Sequence, residues 1–174
     1  MGNRITHPKY RNLGSLKMSN GRTDVVLAVL VTSGSRLALS PREAELVLWL
    51  AQRDQSKVGF GMVGFDLSEI PWTLENFDEE KAFMLKIIEG AQAKLGWNVL
   101  DFGTPPDVLC GDLEQIHMLV LNLTAEDLIK APQMKIKHHL NTSFDEQMAI
   151  ELNKCEKHGV LLTEYGCFVC NNLP

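Results

Sequence analysis

The chain has 174 residues, of which 45% are hydrophobic and 22% are charged, and this balance excludes a disordered chain. Its longest apolar run, Val25 to Val31, is far shorter than the ~20 residues that a membrane span requires. The net charge of -5 is uneven: residues 1–39 carry six basic and one acidic residue, whereas residues 40–129 carry six basic and sixteen acidic residues, which disfavours nucleic acid as a partner of the main domain.

The N-terminal segment is predicted to form an arm followed by a β-hairpin. Residues 1–22 mix proline and glycine with isolated bases and show no periodicity, so we expect a mobile basic arm. Residues 24–32 are rich in β-branched side chains, which is typical of a buried strand. Ser33 and Gly34 then favour a tight turn into a second strand at residues 36–39.

The first predicted helix begins after this hairpin. Ser40 supplies a hydroxyl cap, Pro41 suits the first helical position and Glu43 closes a capping box. The helix is expected to extend to about residue 54. Residues 57–66 alternate apolar side chains with glycines, which predicts a strand with a bulge.

Two further helices are expected in the acidic part of the chain. The clearer one begins at Asn76, where Asn can act as the cap and Glu79 can close the box, and it stops at Gly96. Residues 97–102 are predicted to form a strand. The next helix covers residues 107–123, and a capping box at residues 124–127 predicts one more short helical turn.

The C-terminal part is predicted to be a separate module. Residues 130–142 contain a proline, three lysines and a histidine pair without amphipathic regularity, so we interpret them as a linker. A capped helix at residues 143–154 then leads into the last residues, and we expect residues 143–174 to be energetically separate from the main domain. That domain, residues 23–129, is predicted to be α+β, with a small antiparallel sheet covered by three or four helices.

Four residues near the C-terminus have the spacing of a zinc site. Cys155 and His158 form one pair with two residues between them, and Cys167 and Cys170 form another. Two such pairs supply four nitrogen and sulfur ligands, the set of a closed tetrahedral Zn²⁺ site. The stretch between the pairs is apolar enough for a short β-hairpin. Since four protein ligands leave no open position, the predicted Zn²⁺ is structural and not catalytic.

At these positions the chain resembles the paired knuckles of the zinc-ribbon and rubredoxin-like class. Gly159 follows the first pair as it often does in those knuckles, whereas Asn171 replaces the usual glycine after the second pair. The resemblance covers residues 155–170, and no family is recognised for residues 1–142. It implies a structural zinc ion and an exposed hairpin that makes contacts, sometimes to nucleic acid and often to protein.

Other candidate residues are interpreted more simply. Cys110 and His117 share a face of a predicted helix, but they are too far apart to bind one ion without a third element. Cys110 is expected to be a small buried hydrophobe, and the adjacent His138 and His139 are expected to be exposed polar residues. With no secretory signal and no disulfide framework, we expect a cytoplasmic protein that is not bound to a membrane.

The favoured function is non-enzymatic protein binding, as in an adaptor or an immunity-like protein, with an acidic surface that receives a basic partner. This interpretation depends on the charge asymmetry and on the lack of familiar catalytic motifs. One alternative is nucleic-acid binding through the linker, the zinc hairpin and the basic residues of the arm, which are Arg4, Lys9, Arg11, Lys17 and Arg22. Another is an enzyme whose catalytic residues are dispersed in sequence.

Overall fold

The computed structural model describes residues 3–53, 64–101, 106–130, 152–163 and 165–172. It has the α+β class predicted from the sequence. The helices are α1 Tyr10–Leu13, α2 Asn20–Leu37, α3 Pro41–Ala51, α4 Phe77–Gln92, α5 Pro106–Leu121 and α6 Ala125–Lys130. The strands are β1 Asn3–Thr6, β2 Ser15–Met18, β3 Phe65–Asp66, β4 Leu162–Thr163 and β5 Gly166–Cys167.

The larger sheet is built mainly from the N-terminal segment. Its strand order is β2, β1, β3, with β1 antiparallel to β2 and parallel to β3, so the sheet is mixed and not wholly antiparallel. The expectation of a mobile arm is wrong for these two N-terminal strands. Alternate apolar side chains, Ile5, Leu16 and Met18, are buried in the core, and this burial holds the strands in place.

Helix α2 occupies the segment that was predicted to be a β-hairpin, and both predicted strands there are wrong. The helix packs against α3 and α4, and its buried residues include Val26, Val29 and Val31 on different sides of its axis. Ser33 and Gly34 form no turn but lie within its last turns. A helix buried on several sides shows an almost continuous apolar run, which resembles a buried strand in sequence.

The other helices lie close to their predicted positions. The capping box of α3 is present, with the Ser40 hydroxyl accepting from the Glu43 N–H and the Glu43 carboxylate accepting from the Ser40 N–H. Asn76 precedes α4 as predicted but makes no side-chain cap hydrogen bond. Helix α6 follows Thr124, whose N–H and hydroxyl both donate to Asp127.

Two predictions differ from the structure near the ends of elements. The strand expected at residues 97–102 is wrong, because Trp97–Val99 is a 3-10 helix that follows Gly96, a residue with φ of 83°. The helix expected at residues 143–154 does not include residues 152–154, which are not helical, and Lys154 forms an isolated β-bridge with Leu161. Residues 143–151 of that helix, the predicted linker after Lys130 and most of the strand at residues 57–66 lie outside the described residues.

Among the residues that the structure describes, three carboxylates are buried in the core, and each is paired with a base. Lys9 binds Asp127 at 2.8 Å, and Arg22 makes a two-pronged contact with Asp112. Arg42 binds Glu80 at 2.8 Å. Part of the charge asymmetry along the sequence is therefore cancelled in the fold, since Lys9 and Arg22 come from the basic N-terminal segment.

Candidate metal centre

The first half of the candidate centre is a tight turn that contains Cys155 and His158. The Cys155 N–H donates to the Val160 carbonyl at 2.8 Å, and the Gly159 N–H donates to the Cys155 carbonyl at 2.7 Å. Gly159 has φ of 65°, a left-handed conformation that glycine adopts without a steric cost. This reversal brings the two side chains of the pair to the same side of the turn.

The second half follows a short hairpin. Strands β4 and β5 are antiparallel, with Leu162 opposite Cys167, and a 3-10 helix, Cys170–Asn172, follows them. The Cys170 N–H points at the Cys167 sulfur at 3.5 Å. Asn171, which stands where such knuckles usually have glycine, lies in this 3-10 helix, and its side chain donates to the Tyr165 carbonyl at 2.8 Å.

The structure brings all four predicted ligands together. Their sulfur and nitrogen atoms all lie within 4.8 Å of one another. The Nδ1 atom of His158 is 3.7, 3.5 and 3.4 Å from the sulfurs of Cys155, Cys167 and Cys170, and the sulfurs of Cys155 and Cys170 are 3.8 Å apart.

These separations match the edges of a tetrahedral metal site. A central ion with bonds of about 2.3 Å to sulfur and about 2.1 Å to nitrogen would place two sulfurs ~3.8 Å apart and a sulfur and a nitrogen ~3.6 Å apart. These four distances lie within about 0.2 Å of those values. The remaining sulfur–sulfur distances in the cluster are no longer than 4.8 Å. The cluster therefore has the ligand types and the approximate spacing that could hold a metal ion.

The thiols of the cluster differ in acidity. The backbone N–H of His158 donates to the Cys155 sulfur and lowers the pKa of that thiol. Desolvation, together with the neighbouring sulfurs of Cys167 and Cys155, raises the pKa of the Cys170 thiol to about 11. A metal ion that binds all three sulfurs must displace the proton of Cys170, so we expect acid to weaken metal binding.

The metal centre is attached to the core through helix α2. The Ser35 hydroxyl is fully buried and accepts the N–H of Leu161 at 3.0 Å, and Arg36 donates to the His158 carbonyl at 3.4 Å. Val160 and Phe168, which flank ligands in sequence, are at most 1% exposed and belong to the same hydrophobic cluster as α2. The candidate centre thus lies on the end of α2 as part of the core.

Sequence reasoning did not find Ser35 and Arg36. The contact between Ser35 and Leu161 joins residues 126 positions apart, and no local pattern signals it. Among the other candidates, His117 lies 3.4 Å from Glu89 and Cys110 is a free, partly buried thiol. His138 and His139 lie outside the described residues.

A groove of about 220 Å³ lies between the starts of α3 and α4. Leu46 and Phe83 form part of its apolar wall, and Arg42 is its basic residue. Its carboxylates are Glu43, Glu79 and Glu80. Three carboxylates against one guanidinium give the groove a negative character.

No protein-family model, curated protein or solved structure matches this chain. No zinc-ribbon family is thus identified for the knuckle. In the part of the chain that the structure describes, no helix combines the length and the apolar character that crossing a bilayer requires.

Proposed function

We propose that this chain is a non-enzymatic protein-binding protein whose fold is stabilised by a structural Zn²⁺. The observation that carries the metal half of the proposal is the convergence of the ligand atoms of Cys155, His158, Cys167 and Cys170 to within 4.8 Å of one another. Three thiolates and one imidazole favour Zn²⁺ over hard ions such as Mg²⁺ and Ca²⁺, which prefer oxygen ligands. Four protein ligands leave no position for a reacting water, which supports a structural role.

Metal analysis tests this assignment. Protein purified without added zinc is expected to contain about one equivalent of zinc. The variant Cys167→Ser removes a buried ligand and should lose most of the metal, whereas Cys110→Ser, which changes a thiol outside the cluster, should retain it. Equal zinc contents in the two variants would reject the ligand set.

The protein-binding half of the proposal concerns an acidic patch, which we define as Glu75, Asp78 and Glu79 at the start of α4. All three side chains are exposed, and within the described residues none of them forms an ion pair. The patch borders the groove between α3 and α4, which Glu79 helps to line. An exposed negative surface beside a groove favours a partner that presents basic side chains.

The charge pairing in the fold favours this candidate over nucleic-acid binding. Lys9 and Arg22, two bases of the N-terminal segment, are engaged with the buried carboxylates Asp127 and Asp112. They are less available to phosphate groups than their sequence positions suggest. The acidic patch has no such compensation among the described residues.

Paired charge variants test the binding proposal. The patch variant combines Glu75→Lys with Glu79→Gln. The control variant combines Asp101→Lys with Glu114→Gln, which makes the same change of net charge at exposed sites towards the other end of α4. The partner is captured from the native cell at low salt and identified, and its association with each purified variant is then measured against salt concentration. We expect the patch variant to associate more slowly and with a flatter salt dependence than the control.

Two outcomes would reject the acidic patch as the binding surface. One is equal association of the patch variant and the control variant with the same partner. The other is capture of nucleic acid with a steep salt dependence, which would support the basic residues of the N-terminal segment instead.

A further inference from the structure

The four members of the metal centre differ in their exposure to solvent. Cys167 and His158 are buried, at 6% and 7% exposure, on the side that faces the core. Cys155 is partly buried and Cys170 is exposed. The sulfurs of Cys155 and Cys170, 3.8 Å apart, therefore form the solvent-facing edge of the cluster. A small solute that reaches the centre meets this edge first.

We propose that Cys155 and Cys170 are a redox-active pair, which hydrogen peroxide or an organic hydroperoxide converts to a disulfide with release of the bound metal. This inference deepens the proposed function, because the metal that is released is the proposed structural Zn²⁺. It makes the centre a site of reversible modification as well as a structural element.

The chemistry takes two steps and balances. The exposed Cys170 sulfur attacks the terminal peroxide oxygen, so that an S–O bond forms and the O–O bond breaks, and the departing hydroxide or alkoxide takes up a proton from solvent to become water or an alcohol. The Cys155 sulfur then attacks the Cys170 sulfur, so that an S–S bond forms and the S–O bond breaks, and the hydroxide that leaves takes up a second proton to become water. Two thiolates lose two electrons and one peroxide is reduced. The metal then retains only His158 and Cys167.

Cys155 is better placed than Cys167 to complete this reaction. The Cys167 sulfur already accepts the Cys170 N–H at 3.5 Å and lies on the buried side of the cluster. The Cys155 sulfur lies on the exposed edge, and the two sulfurs need only move from 3.8 Å to the ~2.05 Å of a disulfide. The new bond would keep the two ends of the hairpin together, so the core contacts of Val160 and Phe168 should persist.

The experiment uses the zinc-loaded full chain with Cys110→Ser, which removes the thiol outside the cluster. Hydrogen peroxide is added, zinc release is followed with a chromogenic indicator, and the cysteine pairing is mapped by mass spectrometry after the remaining thiols are alkylated. We expect one zinc released per disulfide formed, a bond between Cys155 and Cys170, and an unchanged helical circular dichroism signal. Dithiothreitol and zinc should restore the starting state.

The reaction rate gives a further criterion. A metal-bound sulfur is already deprotonated, so the pair should react faster than glutathione at the same pH. A disulfide that includes Cys167, or thiols that stay reduced while glutathione is oxidised, would overturn the inference. The zinc content before peroxide is added tests the metal site alone: a chain without metal that still forms the Cys155–Cys170 bond would reject the zinc assignment and retain the redox pair.

Discussion

Glu80 is only 4% exposed, and its carboxylate is stabilised by two neighbouring residues. Its carboxylate accepts from Arg42 at 2.8 Å and from the N–H and hydroxyl of Thr73 at 2.8 and 2.7 Å. Burial opposes the charged form, but the bonds from Arg42 and Thr73 outweigh it and hold the pKa of Glu80 below its usual range. Arg42 also binds Glu45 and the Pro71 carbonyl, and its bond to Glu80 ties α3 to α4.

Replacing Glu80 by Gln is expected to lower the unfolding free energy by about 3 kcal/mol at pH 7, because Arg42 loses its most buried counter-ion. The folded-state pKa of Glu80 lies below the unfolded value, so its contribution is complete above the unfolded pKa of ~4.3 and is lost as the pH falls through the folded pKa. Urea unfolding at several pH values measures the difference in unfolding free energy between the unaltered protein and the Glu80→Gln variant. This difference should become smaller in acid.

Glu79→Gln is the matched control for this substitution. Glu79 lies on the same helical turn but is exposed, so its loss should cost no more than about 1 kcal/mol through the helix dipole. Two results would contradict the buried ion pair. One is a decrease in unfolding free energy for Glu79→Gln as large as that for Glu80→Gln, and the other is a decrease for Glu80→Gln that stays constant down to pH 2.

At the scale of elements, the crossing of α2 and α4 depends on small residues. A side chain at Gly90 would place its Cβ 2.4 Å from the Ser33 hydroxyl, and one at Gly34 would place its Cβ 3.1 Å from Ile87. The Ser33 hydroxyl donates to the Ile87 carbonyl of α4 at 2.8 Å. The two helices therefore approach each other closely, and a buried polar bond joins them.

Gly90→Ala is expected to destabilise the protein by about 1–3 kcal/mol, because the added methyl group overpacks this crossing. Gly111→Ala makes the same chemical change on the exposed side of α5, where no atom lies within 4 Å of the new Cβ. It should stabilise the protein by about 0.4–1 kcal/mol through a lower unfolded-state entropy. Thermal or urea unfolding compares the two variants, and effects of the same sign would refute the close approach.

The attachment of the metal centre to α2 gives a third test. Ser35→Ala removes the acceptor of the buried Leu161 N–H and should cost about 1–3 kcal/mol in the zinc-loaded protein. Zinc content should stay at one equivalent, since Ser35 is not a ligand. Ser68→Ala, a change of a partly exposed hydroxyl in another segment, serves as the control and should cost less. Equal losses of unfolding free energy in the two variants would argue against the attachment of the metal centre to α2 through Ser35.

The success of sequence prediction depended on how local each signal is. The Ser40–Glu43 capping box and the four Cys and His positions lie within short stretches, so their spacing predicted both. Helix α2 was not predictable as a helix, because contacts with three other helices bury several of its sides and hide its period. The β1–β3 pairing joins residues 60 positions apart, which sequence pattern alone does not indicate.

At the scale of the whole molecule, residues 152–163 and 165–172, which we call the knuckle segment, share one hydrophobic cluster with the helical core. Phe168 and Val160 are almost completely buried, and Ser35 and Arg36 bind the knuckle backbone. This packing favours one cooperative unit over the separately folding module that we expected from the sequence. The predicted domain boundary lies within residues 130–142, nearly all of which are outside the described residues.

Removal of the proposed Zn²⁺ is therefore expected to lower the melting temperature of the whole protein. Stability gained from a ligand that binds only the folded state is lost when the ligand is removed, and it is lost by every element that unfolds in the same transition. Calorimetry with and without a zinc chelator measures this effect, and we expect a single transition in both cases. A low-temperature transition confined to the C-terminal segment, with an unchanged main transition, would show that the module is separate.

The bond between Ser35 and Leu161 also bears on how the chain is made. Because Leu161 bonds to Ser35 at the end of α2, Ser35 stays without this partner during synthesis until 126 further residues have been added. At about 5–20 residues per second, this interval lasts about 6–25 s. The segment that contains Leu161 is made long after α2, so a nascent chain that is stalled or truncated before Cys155 would leave the buried end of α2 uncovered and accessible to chaperones.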